Sequence, residues 1–100
     1  MTKTILLIGT MDTKGTEDAY VRDLIQERGH QTLILNAGIF DPTIPVDIDA
    51  TRVAQVGGGD LQTLREKQDR GEAMSVMAKS IAALVPQLYT DGKFDGAIGL

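Results

Sequence analysis

The fold of this chain is decided by the stretch Thr4-Ile5-Leu6-Leu7-Ile8-Gly9-Thr10-Met11-Asp12-Thr13-Lys14-Gly15. It begins as a short apolar run and passes into a loop of glycine, threonine, aspartate and lysine, after which a helical pattern starts. A short apolar run between turn residues is typical of a parallel strand that is buried on both faces. The stretch therefore predicts a strand–loop–helix unit. Its loop lies at the carboxyl end of the strand, where open α/β sheets bind ligands.

The loop after this strand carries groups that suit an anion. Gly9 allows close approach of the backbone to a ligand, Thr10 and Thr13 offer hydroxyls, and Lys14 offers a cation. The following helix directs its N-terminal N–H groups and the positive end of its dipole at the loop. The spacing matches neither G-x-x-x-x-G-K-[ST] nor G-x-G-x-x-G. A phosphate cradle and an ordinary turn, with Thr13 or Thr16 as the helix N-cap, are both open from this pattern.

The rest of the chain alternates between helical and strand patterns. In chain order we expect a helix over about 14–28, a strand over 32–36, a loop over 39–49, short helices over about 50–55 and 61–68, a helix over 71–90 and a strand over 94–100. Right-handed crossovers then give strand order 2-1-3 in a three-layer, Rossmann-like α/β sheet. Because the last strand stops at the ligand edge, we expect residues 1–100 to be the amino-terminal part of one longer domain.

Several details of these elements follow from single residues. Asp49 is expected to cap the helix after it rather than to bind a cation, and Asp69 to cap the long helix. The three glycines at 57–59 predict a helix stop or a hinge. Pro86 should kink or restart the long helix. One apolar stripe on that helix is expected to fill the core: Met74, Met77, Ile81, Leu84 and Leu88.

The second and third strands bring further candidates to the same edge. The second strand ends in Asn36-Ala37-Gly38, where a dinucleotide-binding fold would place Asp or Glu against the ribose. Asn36 can still hydrogen-bond a ribose or a base, although it weakens a dehydrogenase interpretation. The order 2-1-3 puts the topological switch point between the first and third strands. We therefore expect the loop at 9–14 to face Gly99 across a crevice.

Composition excludes several classes of protein. The formal net charge of −4 argues against a nucleic-acid surface, and the lack of cysteine excludes disulfides and a thiol nucleophile. No run approaches the roughly 18 apolar residues of a membrane span, and the N-terminus does not fit a signal peptide. The single histidine, His30, fits a solvated turn better than a general base. A soluble, cytoplasmic protein is the expectation.

Four segments carry a resemblance to a known family: Ile8-Gly9-Thr10-Met11-Asp12-Thr13-Lys14-Gly15, Asn36-Ala37-Gly38, Arg70-Gly71-Glu72-Ala73-Met74 and Asp95-Gly96-Ala97-Ile98-Gly99-Leu100. They resemble the amino-terminal domain of proteins related to the tomato mosaic virus resistance protein. The resemblance implies an ATP-binding α/β domain in a dimeric protein several times longer than this chain. In bacterial members, this domain is commonly joined to a barrel domain similar to phosphoenolpyruvate-utilising enzymes.

The resemblance also implies which residues bind the cofactor, ATP with Mg²⁺. The loop after the first strand would contact the phosphates, with Asp12 near the Mg²⁺, while Asn36 and Gly38 would contact ribose or base. The full expected set is Gly9, Thr10, Met11, Asp12, Thr13, Lys14, Asn36, Gly38 and Gly99. No catalytic residue is expected, because the chain offers no nucleophile–base pair.

Two alternatives to a nucleotide-binding module stay open. The region could support a catalytic carboxy-terminal domain by regulation or dimerisation. It could also be an interaction scaffold that uses the apolar residues of the loop at 39–48, among them Phe40 and Ile44.

Overall fold

Seven elements build the part of the chain that the structure, a computed structural model, describes: residues 2–67 and 70–99. In chain order they are β1 (Thr4–Gly9), α1 (Gly15–Glu27), β2 (Gln31–Asn36), α2 (Ala50–Val56), α3 (Leu61–Lys67), α4 (Arg70–Thr90) and β3 (Gly96–Gly99). The predicted order of helices and strands is confirmed. Boundaries shift by at most one residue, except that β3 begins two residues later than expected; its expected last residue, Leu100, lies outside the described residues.

The three strands form one parallel sheet in the order β2-β1-β3, as predicted. In this register the last residue of β1, Gly9, lies beside the last residue of β2, Asn36. Ile8 pairs with Gly99 at the end of β3. All three carboxyl ends therefore meet at one edge of the sheet, which is where the connections to helices and loops emerge.

Helices cover both faces of the sheet and make three layers. β1 is the central strand, so its side chains alternate between two cores: Leu6 packs in one and Leu7 in the other. Residues of α2 and α4 complete the Leu6 core, whereas Val21 and Ile25 of α1 pack against the Leu7 core. Each fully buried leucine contributes about 1.5–3 kcal/mol by leaving water, which explains why an unbroken apolar run forms the central strand.

Helix ends confirm some capping predictions and correct others. Asp49 caps α2, since its Oδ1 accepts from the Arg52 N–H at 2.9 Å. At α1 the N-cap is Lys14 and no side chain in the described part of the chain caps the helix, so Thr13 or Thr16 as its cap is wrong. The Thr13 hydroxyl instead donates to the Thr10 hydroxyl at 3.0 Å. The predicted cap of α4, Asp69, lies outside the described residues.

The helix stop at 57–59 is confirmed, and two predictions for α4 are corrected. Gly57 is the C-cap of α2, and Gly58 adopts a φ of 77°, which favours glycine. Helix α4 continues through Pro86 to Thr90 and does not restart there, while the alternative, a kink at Pro86, stays a prediction. Met74 does not join the core with the rest of the predicted stripe, because 67% of its surface is exposed.

The long loop between β2 and α2 folds back onto the sheet. Asp47 accepts from the Ile34 N–H at 2.7 Å through its side chain, and the N–H groups of Asp47 and Ile48 donate to the Ile34 carbonyl at 2.9 Å. Ile48 is buried in one core, and Ile44 packs against the other. The apolar residues of this loop thus mostly face inward, leaving Phe40 as its large exposed hydrophobic residue.

Candidate functional site

A cavity of about 400 Å³ opens at the carboxyl edge of the sheet, and we call it the edge pocket. Three segments line it: the loop after β1, the loop after β2 and the N-terminal half of α4. The lining residues are Thr10, Asp12, Thr13, Ala37, Gly38, Ile39, Phe40, Ala73, Met74 and Met77. This volume lies within the roughly 300–1,000 Å³ of sites that bind small molecules and cofactors.

The loop after β1 is fixed by its own hydrogen bonds. The Thr10 carbonyl accepts from the N–H groups of Thr13 at 3.1 Å and Lys14 at 2.8 Å. Met11 anchors the loop, because its side chain is fully buried with Leu7 in the core. Its carbonyl accepts from both the N–H and the hydroxyl of Thr43 at 3.0 Å. The N–H groups of Thr13 and Lys14 therefore already have partners and do not form an open cradle for phosphate.

Asn36 joins the two loops that line the pocket. It is fully buried, and its Oδ1 accepts from the Met11 N–H at 3.1 Å and from the Gly38 N–H at 2.9 Å. Its Nδ2 lies 3.5 Å from the Phe40 carbonyl. A residue predicted to contact ribose or base thus orients the pocket walls, and its contact with a ligand stays a prediction.

Asp12 lies over Gly38 with an incomplete set of partners. A Cβ added at Gly38 would lie 2.6 Å from the Asp12 Cγ and 2.8 Å from its Oδ2, so only glycine fits beneath this carboxylate. Oδ2 accepts a long bond of 3.4 Å from the Phe40 N–H. Oδ1 is buried and has no partner among the described residues. A buried acceptor left unpaired costs about 1–3 kcal/mol, so this carboxylate is suited to a donor or cation brought by a ligand.

The remaining wall of the edge pocket is apolar and partly open. Phe40 is 54% exposed, while Met77 is almost fully buried. Arg65 of α3 holds the Phe40 segment from outside: its Nε donates to the Ile39 carbonyl, and its Nη2 lies 3.3 Å from Asp41 Oδ1. Its guanidinium lies 6.0 Å from the centre of the Phe40 ring. The sequence did not predict this contact, because Arg65 reads as a solvated charge on a short helix.

The structure brings together only part of the predicted site. Thr10, Asp12, Thr13 and Gly38 line the edge pocket. The other predicted residues do not line it: Gly9, Met11, Lys14, Asn36 and Gly99. Lys14 is exposed at the start of α1. The pocket thus forms between the ends of β1 and β2 and α4, whereas the predicted crevice lay between β1 and β3.

Asp18 is a buried carboxyl group that the sequence did not single out. It lies in the first turn of α1 against Gly9, where an added Cβ would be 2.8 Å from Oδ2. Both carboxyl oxygens lack partners among the described residues. Burial raises the pKa of Asp18 above its usual range, Glu17 raises it further, and Lys14 opposes both.

An unclustered carboxylate at the pocket limits how a metal ion could bind. Within residues 2–67 and 70–99, no group of three or more His, Cys, Asp or Glu side chains is placed to hold an ion. Mg²⁺ commonly takes one or two carboxylates and fills its other positions with phosphate oxygens and water. Asp12 could therefore contribute to a Mg²⁺ site only together with a ligand such as a nucleotide.

Comparisons with known proteins identify a family. Residues 3–100 match the domain described as "Uncharacterised protein family (UPF0261) N-terminal domain". A UPF0261 protein of Clostridium tetani is 39% identical over 101 residues, which cover all of this chain and 25% of that protein. A UPF0261 protein of Mesorhizobium japonicum is 38% identical over 80 residues, or 80% of this chain and 20% of that protein.

The same comparisons set the limits of what is shown. The chain spans a quarter or less of the length of these relatives. Their names state no ligand, and none refers to the tomato mosaic virus resistance protein or to ATP. No solved structure matches the chain. Among the described helices, none has the length and apolar character needed to cross a membrane. The match over residues 3–100 shows that the chain belongs to the UPF0261 family, in the region of its N-terminal domain.

Proposed function

We propose that this chain belongs to a domain that binds a nucleotide, ATP with Mg²⁺, in the edge pocket. The observation that carries the proposal is the division of the pocket lining. The lining combines the apolar side chains of Phe40, Met74 and Met77 with the polar side chains of Thr10, Asp12 and Thr13. A nucleotide has the same division, because its flat base favours apolar contacts and its sugar and phosphates need polar ones. The resemblance to an ATP-binding domain supports the same ligand.

The phosphates would extend from the pocket towards the start of α1. No side chain of the described residues caps this helix, so its first N–H groups and the positive end of its dipole are suited to an anion. Lys14 is exposed at that point and adds a cation. Since the N–H groups of the preceding loop are occupied, we assign phosphate contact to the Lys14 side chain and to the first turn of α1. Mg²⁺ would be bound mainly by phosphate oxygens.

The activity of the longer protein is part of the proposal. Because the relatives are about four times as long as this chain, a reaction would take place with the help of residues outside it. The homodimer implied by the resemblance and the cytoplasmic location expected from the composition belong to the same proposal. The net charge of −4 supports a small-molecule partner rather than a nucleic acid.

The test is ATP binding by calorimetry on the full-length protein, with and without Mg²⁺. We expect saturable binding that Lys14→Ala weakens by about tenfold, which corresponds to about 1.4 kcal/mol. Lys93→Ala is the matched control, because Lys93 is an exposed lysine in the turn before β3, away from the edge pocket. Absence of ATP binding in the unchanged protein would overturn the proposal, and equal losses in the two variants would overturn the role of Lys14.

A further inference from the structure

The least satisfied polar group of the edge pocket is the Asp12 carboxylate. Asp12 lines the pocket and is half-buried, yet its Oδ1 has no partner among the described residues and its Oδ2 has one bond of 3.4 Å. The torsion that turns an aspartate carboxylate is broad and two-fold, so either oxygen can turn towards the pocket at little cost. A ligand that brings hydrogen-bond donors would therefore supply the partners that the Asp12 carboxylate lacks.

The surroundings of Asp12 favour hydroxyl groups over a metal ion. Its carboxylate rests on Gly38 and lies beside the N–H of Phe40, which itself forms part of the apolar wall. Mg²⁺ needs near-octahedral coordination by oxygen, and the described residues provide no further carboxylate cluster here. A carboxylate can instead accept two short, charge-assisted O–H···O bonds from neighbouring hydroxyls. The ribose of a nucleotide carries such a pair, at its 2′ and 3′ positions.

The apolar wall of the pocket indicates which part of the ligand lies next to that sugar. Phe40 and Met74 are 54% and 67% exposed, although both line the pocket. Aromatic rings and thioether sulfurs both pack favourably against a flat aromatic ring. A base in contact with these two side chains would place its sugar near Asp12, because the Phe40 N–H itself reaches the Asp12 carboxylate. The negative charge of Asp12 would also direct the phosphates away, towards Lys14.

We propose that Asp12 binds the 2′ and 3′ hydroxyls of a ribonucleoside whose base packs against Phe40 and Met74. The inference rests on the proposed nucleotide-binding function and deepens it by naming the class of ligand. The site selects ribonucleotides over deoxyribonucleotides. Asp12 recognises the hydroxyls of the sugar, and the phosphates bind Mg²⁺ without a contribution from Asp12.

The experiment compares ligands on the full-length protein by calorimetry, with Mg²⁺ present: ATP, 2′-deoxy-ATP and 3′-deoxy-ATP. We expect each deoxy ligand to bind about tenfold more weakly than ATP, the loss that corresponds to about 1.4 kcal/mol. In Asp12→Asn the preference should shrink to about threefold or less, because a neutral amide accepts weaker hydrogen bonds than a carboxylate. The matched control is Asp91→Asn, an exposed carboxylate in the turn after α4, which should keep the full preference.

The possible results separate this inference from the function on which it rests. Equal binding of ATP and both deoxy ligands by the unchanged protein overturns the role of Asp12 and leaves nucleotide binding intact. Retention of the full ribose preference in Asp12→Asn also overturns it, because Asp12 would then not be the group that binds the hydroxyls. Absence of ATP binding overturns both proposals. If Asp12→Asn does not fold, the three ligands still decide the question on the unchanged protein.

Discussion

Replacing Gly38 with alanine tests directly how the Asp12 carboxylate is held. An added Cβ would lie 2.6 Å from the Asp12 Cγ and 2.8 Å from its Oδ2, closer than real Cβ atoms approach other atoms. Gly38 is not among the glycines with positive φ, so alanine causes no backbone strain there. The three atoms nearest to that Cβ all belong to the Asp12 carboxylate, which must leave its position and give up its bond from the Phe40 N–H.

The size of the effect follows from the surroundings of Asp12. Adding a methyl group to a packed site costs about 1–3 kcal/mol. Because Asp12 is half-buried, its side chain can turn towards solvent, and we expect the lower part of that range, about 1–1.5 kcal/mol. In a chain of this size, each 1 kcal/mol lowers Tm by about 4–8 °C. Under the proposal for Asp12, Gly38→Ala should also reduce the preference for ATP over 2′-deoxy-ATP.

The assay is a double-mutant cycle measured by urea unfolding of the chain. Asp12→Ala removes the carboxylate, so Gly38→Ala in that background should cost less than about 0.5 kcal/mol, the limit within which independent changes add. Gly99→Ala is the control at the same sheet edge, since an added Cβ there meets no atom within 4 Å. An equal cost of Gly38→Ala in both backgrounds would refute the reasoning, because the carboxylate would then not be the group it displaces.

Two further predictions concern the buried polar groups beside the site. Asn36→Ala removes the acceptor of two buried N–H groups and should cost roughly 2–6 kcal/mol by urea unfolding, at about 1–3 kcal/mol for each orphaned group. Asn36→Asp keeps an acceptor for both N–H groups and should lower the free energy of unfolding less than Asn36→Ala does. The opposite ranking would contradict the role of Asn36 in joining the two loops. Asp18→Asn should raise Tm at neutral pH, because burial raises the pKa of Asp18 above its ordinary value of 3.8 and the fold favours the uncharged form. In the unchanged protein, the stabilisation by Asp18 is complete below pH 3.8 and is lost as the pH rises through the pKa of Asp18 in the folded state. The Tm values of the two proteins should therefore converge near pH 3, and parallel profiles of Tm against pH would contradict the assignment.

The layers of the fold could be predicted because they depend on local patterns and on connectivity. The unbroken apolar run of β1 marks a strand covered on both faces, and Leu6 and Leu7 indeed enter opposite cores. The right-handed crossover rule then leaves the order 2-1-3 as the simplest solution. Asp49 was recognisable as a cap, because capping depends on residues only three positions apart.

The details of the site depend on contacts between distant segments, which local patterns do not contain. The Asn36 side chain meets the Met11 N–H across 25 positions, and Arg65 meets Asp41 across 24. Met74 has the spacing of a core residue, yet its side chain is largely exposed and lines the pocket instead. The sequence feature that did indicate this part of the site was a polar residue, Asn36, at the end of an apolar strand.

The charge of the site sets a condition on any anionic ligand. Two carboxyl groups lie at the end of β1, Asp12 in the loop after it and Asp18 against its last residue, Gly9, and three of their four oxygens have no partner among the described residues. Both would repel phosphate if charged, and the exposed Lys14 is a single, partly screened cation. Binding of a triphosphate therefore requires that Asp18 stay protonated, that Mg²⁺ neutralise the phosphates, or both. It follows that ATP should bind more tightly with Mg²⁺ than without it, and that adenosine, which carries no charge, should show no such dependence.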